Sequence, residues 1–262
     1  MNQFFEKEFE SGGLYNHKPL SASYVNSMIY IVNSTLSFAN EQGFELQAKV
    51  KMTEFPTRSD AKWFSGEEQS KLEDYLIMNL DGYKLGIIVC LYTGLRLGEI
   101  CGLKWEDFDF KKECFTVSRT VYRTKNLGGL GGKTKLEVGA PKSASSQRVI
   151  PIHSELLKLM KIKMRSSRSP WVISDNFDKI PDPRSYQNRY KKYLEQCSIS
   201  YKSFHSLRHT FATRFIESGG DIKSLSEILG HSKVGITLKI YVHSSLAQKR
   251  SQIELLNFRT IL

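Results

Sequence analysis

His205-Ser-Leu-Arg208-His209-Thr-Phe-Ala-Thr213 is the stretch from which the rest of the chain can be organised. His205 and Arg208 are three residues apart and share one face of a helix. Leu207, Phe211 and Phe215 recur at a spacing of four and supply an apolar stripe for a core. The spacing predicts a helix over 204–218 that buries one side and presents a basic one. Gly219-Gly220 breaks it, Asp221 can cap a second helix, and Gly230 ends that helix just before His231.

Outward from this pair, the pattern stays mostly helical. Ser65 and Glu68 have the spacing of a capping box, and helices are expected from there to Leu80, from Tyr83 to Thr93 and from Arg96 to Leu103. Further helices are expected over 154–165, 183–197 and from Ser245 onward. Between them, Cys114-Phe-Thr-Val-Ser-Arg-Thr-Val121 alternates like one half-buried strand. Gly128-Gly-Leu-Gly-Gly132 marks a flexible excursion, and Gln147 to Ile152 reads as a returning strand. The first fifty or so residues hold one convincing helical run, entered at Ser21 and ended by Gly43. Residues 56–63 read as a linker, with a new domain opening at Phe64.

Composition narrows the partner. The 262 residues carry 38 Lys and Arg against 27 Asp and Glu, a formal charge of +11. Such an excess suits a polyanion. The four Cys form no CxxC pair, which argues against a zinc or redox motif and fits free thiols in a reducing cytoplasm. The N-terminus has no apolar core of the signal-peptide kind, and no run approaches the ~18 apolar residues of a membrane span. No acidic cluster has metal-ligand spacing and no phosphate loop for ATP is present, so neither metal nor cofactor is expected.

Four separated motifs carry the chemistry. Thr93-Gly-Leu-Arg96-Leu-Gly-Glu99 sets a guanidinium after a glycine turn, where it can fork onto two phosphate oxygens, with Glu99 one turn on to hold it. The second is the His205/Arg208 face; the third is His231. The fourth is Tyr241 in Leu238-Lys-Ile-Tyr-Val-His243. A phenol with a pKa of about 10 is a weak nucleophile, but neighbouring arginines favour its phenolate and a neutral histidine can accept its proton. Each motif alone has an ordinary explanation: an amphipathic helix, a surface ion pair, a structural tyrosine. Together they supply most of what attack on a phosphodiester needs.

The set, in this order, resembles the tyrosine recombinase (phage integrase) family over roughly residues 64–258. The resemblance implies a mainly α (α+β) fold, a helical catalytic domain over 64–262 with a small antiparallel β-sheet, preceded by a partial helical core-DNA-binding domain over 1–55. It implies that Tyr241 attacks the phosphate to give a 3′-phosphotyrosine, that Arg96, Arg208 and His231 hold the phosphate, and that His205 assists proton transfer. A hairpin lysine would protonate the leaving oxygen. Lys133, Lys135 and Lys142 are candidates, and Lys142 is preferred because Pro141-Lys-Ser-Ala-Ser-Ser-Gln-Arg148 resembles the family's hairpin segment. Arg148 joins Lys142, Arg96 and Arg208 as an expected DNA contact. The implied partner is double-stranded DNA with specific core sites, bound by a homotetramer that exchanges C-terminal helices, in a bacterial, nucleoid-associated setting.

The glycine-rich segment 126–133 is similar to integrases of conjugative transposons. This favours a recombinase that integrates and excises a mobile element. The alternatives are a Xer-like dimer-resolving recombinase, a monomeric type IB topoisomerase, and a shortened, catalytically impaired DNA-binding regulator. The short front, about sixty residues before Ser65, is the departure from the pattern, and fewer phosphate contacts there should weaken DNA binding.

Overall fold

The computed structural model describes residues 2–11, 19–46, 50, 63–126, 128, 132–140, 147–174, 179–235 and 237. The chain divides into two compact units, 1–61 and 62–262. The first holds five Lys or Arg against seven Asp or Glu, so the basic excess belongs to the second.

In the first unit, α1 (Asn2–Ser11) packs on α2 (Ala22–Glu41). Ser21 caps α2 by accepting from the Tyr24 N–H. Phe5, Val25, Ile29 and Val50 form a small core. Asn33 fixes Val50 by donating to its carbonyl and accepting from its N–H, both at 2.9 Å. The periodicity marks α2 clearly; α1 was not expected.

The second unit is built round α4 (Gly82–Thr93), which is apolar on every side and buried almost throughout. A helix of that composition has no polar face to give to water and must lie at the centre. Beside it are α3 (Gly66–Ile77), α5 (Leu97–Cys101), α6 (Ser154–Ser166), α7 (Pro183–Gln196), α8 (His205–Glu217) and α9 (Ile222–Leu229). The Ser65/Glu68 capping box is present in both directions, and Asp221 caps α9 through the Ser224 N–H. Among the described residues, no helix is long and apolar enough to cross a membrane.

The strands correct one expectation. The stretch Cys114–Val121 is not one strand. β2 (Cys114–Val117) lies between β1 (Phe108–Asp109) and β5 (Arg148–Pro151), antiparallel to both, with Val117 opposite Arg148. β3 (Thr120–Lys125) leaves that sheet and pairs antiparallel with β4 (Thr134–Gly139). Asp107 pins the break: it accepts from the Ser118 hydroxyl at 3.3 Å and from Arg119 Nη1 at 2.7 Å. Asp107 ends a short 3-10 turn (Trp105–Asp107), and Asp109 lies in β1.

Candidate active site

The basic residues of separate motifs converge at the C-terminal end of α4. The chain leaves α4 through Gly94 in the left-handed region, φ +65°, and turns into α5 with Arg96 as its N-cap. A side chain at Gly94 would put its Cβ 2.6 Å from Leu229 and 2.7 Å from Phe211, so α8 and α9 close directly over this turn.

Arg208 projects from α8 into that closure and is only 1% exposed. Its Nη1 donates to the Gly94 carbonyl and its Nη2 to the Leu229 carbonyl, both at 2.8 Å, and Nη2 also lies 2.9 Å from His231 Nε2. Burying a guanidinium costs several kcal/mol unless its donors are met; here backbone carbonyls meet them. Arg96 is more open, 37% exposed at its side chain. It donates from Nη1 to Glu99 Oε1 at 2.8 Å and from Nη2 to the Gly230 carbonyl at 3.3 Å.

Glu99 is 4% exposed and shared between two arginines. Arg148 donates to both its oxygens, at 3.1 and 2.9 Å, and also donates through Nε to the Ile228 carbonyl. Burial alone would raise the Glu99 pKa, but the hydrogen bond and charge of Arg148, followed by the Arg96 contacts, hold it below the usual carboxylate range.

Three successive carbonyls at the end of α9 therefore each accept from a different arginine: Ile228 from Arg148, Leu229 from Arg208, Gly230 from Arg96. A helix leaves its last carbonyls without intrahelical partners, and its C-terminus carries the negative end of the helix dipole. The arginines satisfy both. The next residue is His231, so the same helix end aims the imidazole at the cluster.

His231 and His205 are held neutral. Burial, then the charges of Arg208, Arg96 and Arg148, lower the His231 pKa to about 4. Partial burial, then the charges of His209, Arg208 and Arg96, bring His205 to about 4 as well. His209 stands edge-on to it, ring centroids 4.7 Å apart, and is itself lowered by burial and Arg208.

Arg96, Glu99, Arg208 and His231 thus form one contiguous set, with His205 within its electrostatic reach. Arg148, grouped by sequence with the DNA-contacting cations, turns inward, its side chain only 6% exposed. Strand alternation puts Arg148 on the same buried face as Ile150, with Val149 facing out. Of the lysine candidates, Lys133 and Lys135 belong to the β3–β4 hairpin, with Lys135 paired to Glu137 at 2.8 Å. Lys142, Tyr241 and the helix expected from Ser245 lie outside the described residues. Thr237, which sequence reasoning passed over, is fully buried with Oγ1 2.8 Å from His231 Nδ1. Its place four residues before Tyr241 was the available signal.

The model of the phage integrase family matches residues 65–248. The chain belongs to that family. The chain is 32% identical over 217 residues to a XerC-like tyrosine recombinase from Caldanaerobacter subterraneus, covering 76% of the chain and 54% of the relative. It is 25% identical over 188 residues to the transposase of transposon Tn916 from Enterococcus faecalis, covering 65% of the chain and 44% of the transposase. It spans about half the length of these relatives. The fold matches that of the Tn1549 transposon integrase solved in complex with transposon right end DNA, at a TM-score of 0.76 and 19% identity over 98% of this chain and 84% of that one.

Proposed function

We propose that this integrase-family chain is a site-specific DNA recombinase that integrates and excises a mobile element through a covalent 3′-phosphotyrosine. The observation that carries the reading is the convergence of Arg96 and Arg208 with a neutral His231 at one helix end. Two guanidiniums suit a phosphate whose charge grows as a nucleophile adds, and His231, whose Nε2 accepts from Arg208, can donate to it once protonated, a state that a bound phosphate favours.

In this reading Tyr241 attacks the phosphorus, the bond to the 5′-oxygen breaks, and the 3′-phosphate becomes esterified to the phenol. His205, neutral at pH 7, takes the phenolic proton, and an arriving phosphate raises its proton affinity. Lys142 protonates the leaving 5′-oxygen. Attack by a 5′-hydroxyl of another strand reverses these steps and releases Tyr241. The ester conserves the energy of the broken bond, so rejoining needs no nucleotide.

The substrate is duplex DNA with specific core sites, bound by four copies on paired sites with exchange of the helix expected after Ser245. The first unit serves as a partial core-DNA-binding domain, and the setting is the bacterial cytoplasm at the nucleoid. The Tn916 and Tn1549 likenesses support an element of the conjugative-transposon kind. The test is to mix the full chain, in EDTA, with a nicked duplex carrying the junction of the element that encodes it. A denaturation-resistant shifted band is expected; DNA binding without one on any junction would favour a regulatory DNA-binding derivative instead.

A further inference from the structure

We propose that Arg148 is a positioning residue of the recombinase site, acting through Glu99 and the Ile228 carbonyl to fix Arg96 against the end of α9. The inference rests on the recombinase reading for its kinetic consequence and on the structure alone for its geometric one.

Arg148 connects three elements. It sits on β5, opposite Val117, and its guanidinium reaches both Glu99 oxygens on α5 and the Ile228 carbonyl on α9. Glu99 spends its remaining capacity on Arg96, taking its backbone N–H at 2.9 Å and its Nη1 at 2.8 Å. Glu99 is thus aimed by Arg148 and in turn aims Arg96. The fork matters, because a planar guanidinium spreads fixed donors over both carboxylate oxygens and the carbonyl, whereas an ammonium gathers its three donors on one nitrogen at the end of a flexible stem.

Glu99 left without this partner would pull Arg96 inward or rotate away from it. Either movement breaks the row of arginines on residues 228–230 and leaves Arg96 misplaced toward a phosphate. A displacement of about 1 Å in a positioning group can cost on the order of 100-fold in rate. The expected signature is a slowed chemical step with DNA affinity preserved.

The experiment compares the wild-type chain with R148K, R148M, E99Q and the R148K/E99Q double variant. Single-turnover formation of the covalent complex is measured on the nicked junction duplex, and DNA affinity is measured across a salt series. R148K should slow covalent-complex formation by about 10-fold or more and R148M by about 100-fold, with affinity and salt slope close to wild type. The double variant should be no slower than the worse single one, because both changes act on one relay. A loss of affinity with a salt slope smaller by about one would mean that Arg148 is a phosphate contact, overturning the proposal. Additive rate losses would overturn it as well.

A crystal structure of R148K reads the same proposal without cleavage, and stands even where R148M does not fold or the wild-type chain forms no adduct. Arg96 should leave the Gly230 carbonyl and Glu99 should reorient. Arg96, Glu99 and residues 228–230 in their wild-type places would refute the positioning role. No adduct from the wild-type chain would instead count against the recombinase reading.

Discussion

Arg208 Nη2 lies 2.9 Å from His231 Nε2, and that contact decides the tautomer of the histidine. A guanidinium can only donate, so Nε2 must accept and the ring proton must sit on Nδ1. Nδ1 then donates to Thr237 Oγ1 at 2.8 Å. One chain of hydrogen bonds thus runs from the buried arginine of α8 through His231 to the residue four positions before Tyr241.

Replacing Thr237 with Val keeps the shape and removes the acceptor. A buried donor left unmet costs about 1–3 kcal/mol. T237V should lower the unfolding free energy by that amount in urea titration, and should slow covalent-complex formation more than it weakens DNA binding. Replacement by Ser should restore most of both.

Acid should destabilise the chain in two ways of the same sign. His205 and His231 have pKa values of about 4 in the folded state against about 6.5 unfolded. Between those values the unfolded chain binds more protons, so stability rises with pH and falls on acidification from about 6.5 toward 4. Glu99, lowered by Arg148 and Arg96 against the cost of its burial, adds stability that is lost as pH drops through its folded value. The melting temperature should therefore decline steadily below about pH 6.5, and H231N should flatten the upper part of that decline.

Gly94→Ala tests the turn that seats both arginines. The left-handed backbone and the close approach of Leu229 and Phe211 leave no room for a methyl. The strain alone should cost about 1–3 kcal/mol. Because the Gly94 carbonyl accepts from Arg208, the variant should also lose more cleavage than its stability loss accounts for, measured well below its melting temperature.

Breaking the buried Glu99–Arg148 pair from one side leaves a charge without its partner. E99A should destabilise the second unit by about 3–5 kcal/mol in thermal or denaturant unfolding, far more than loss of an exposed pair such as Lys71–Glu67.

Much of this architecture was legible in the residues. Local signals fixed the helices: the Ser65/Glu68 box, the Asp221 cap and the glycines after Thr93 and Leu229 act within a turn of where they stand. The order of Arg96, His205, Arg208 and His231 pointed to a shared site because their chemistry is complementary. What escaped is non-local. The split of Cys114–Val121 into two sheets depends on Asp107, which reaches back to Ser118 and Arg119 across a turn. α9 presents its last carbonyls to arginines from three other elements, which no spacing within one segment encodes. The inward turn of Arg148 was legible in the alternation: Ile150 and Ile152 are buried, and Arg148 shares the face of Ile150.

The measurement that bears most directly on the account is the identity of the residue joined to DNA. The trapped adduct, formed with an end-labelled nicked junction duplex, would be digested and its nucleotide-bearing peptide sequenced by mass spectrometry. The account predicts the peptide containing Tyr241, esterified to a 3′-phosphate, with a free 5′-hydroxyl on the other side of the break and no adduct from Y241F. Attachment to another residue, a 5′-phosphate linkage, or an undiminished adduct from Y241F would contradict it.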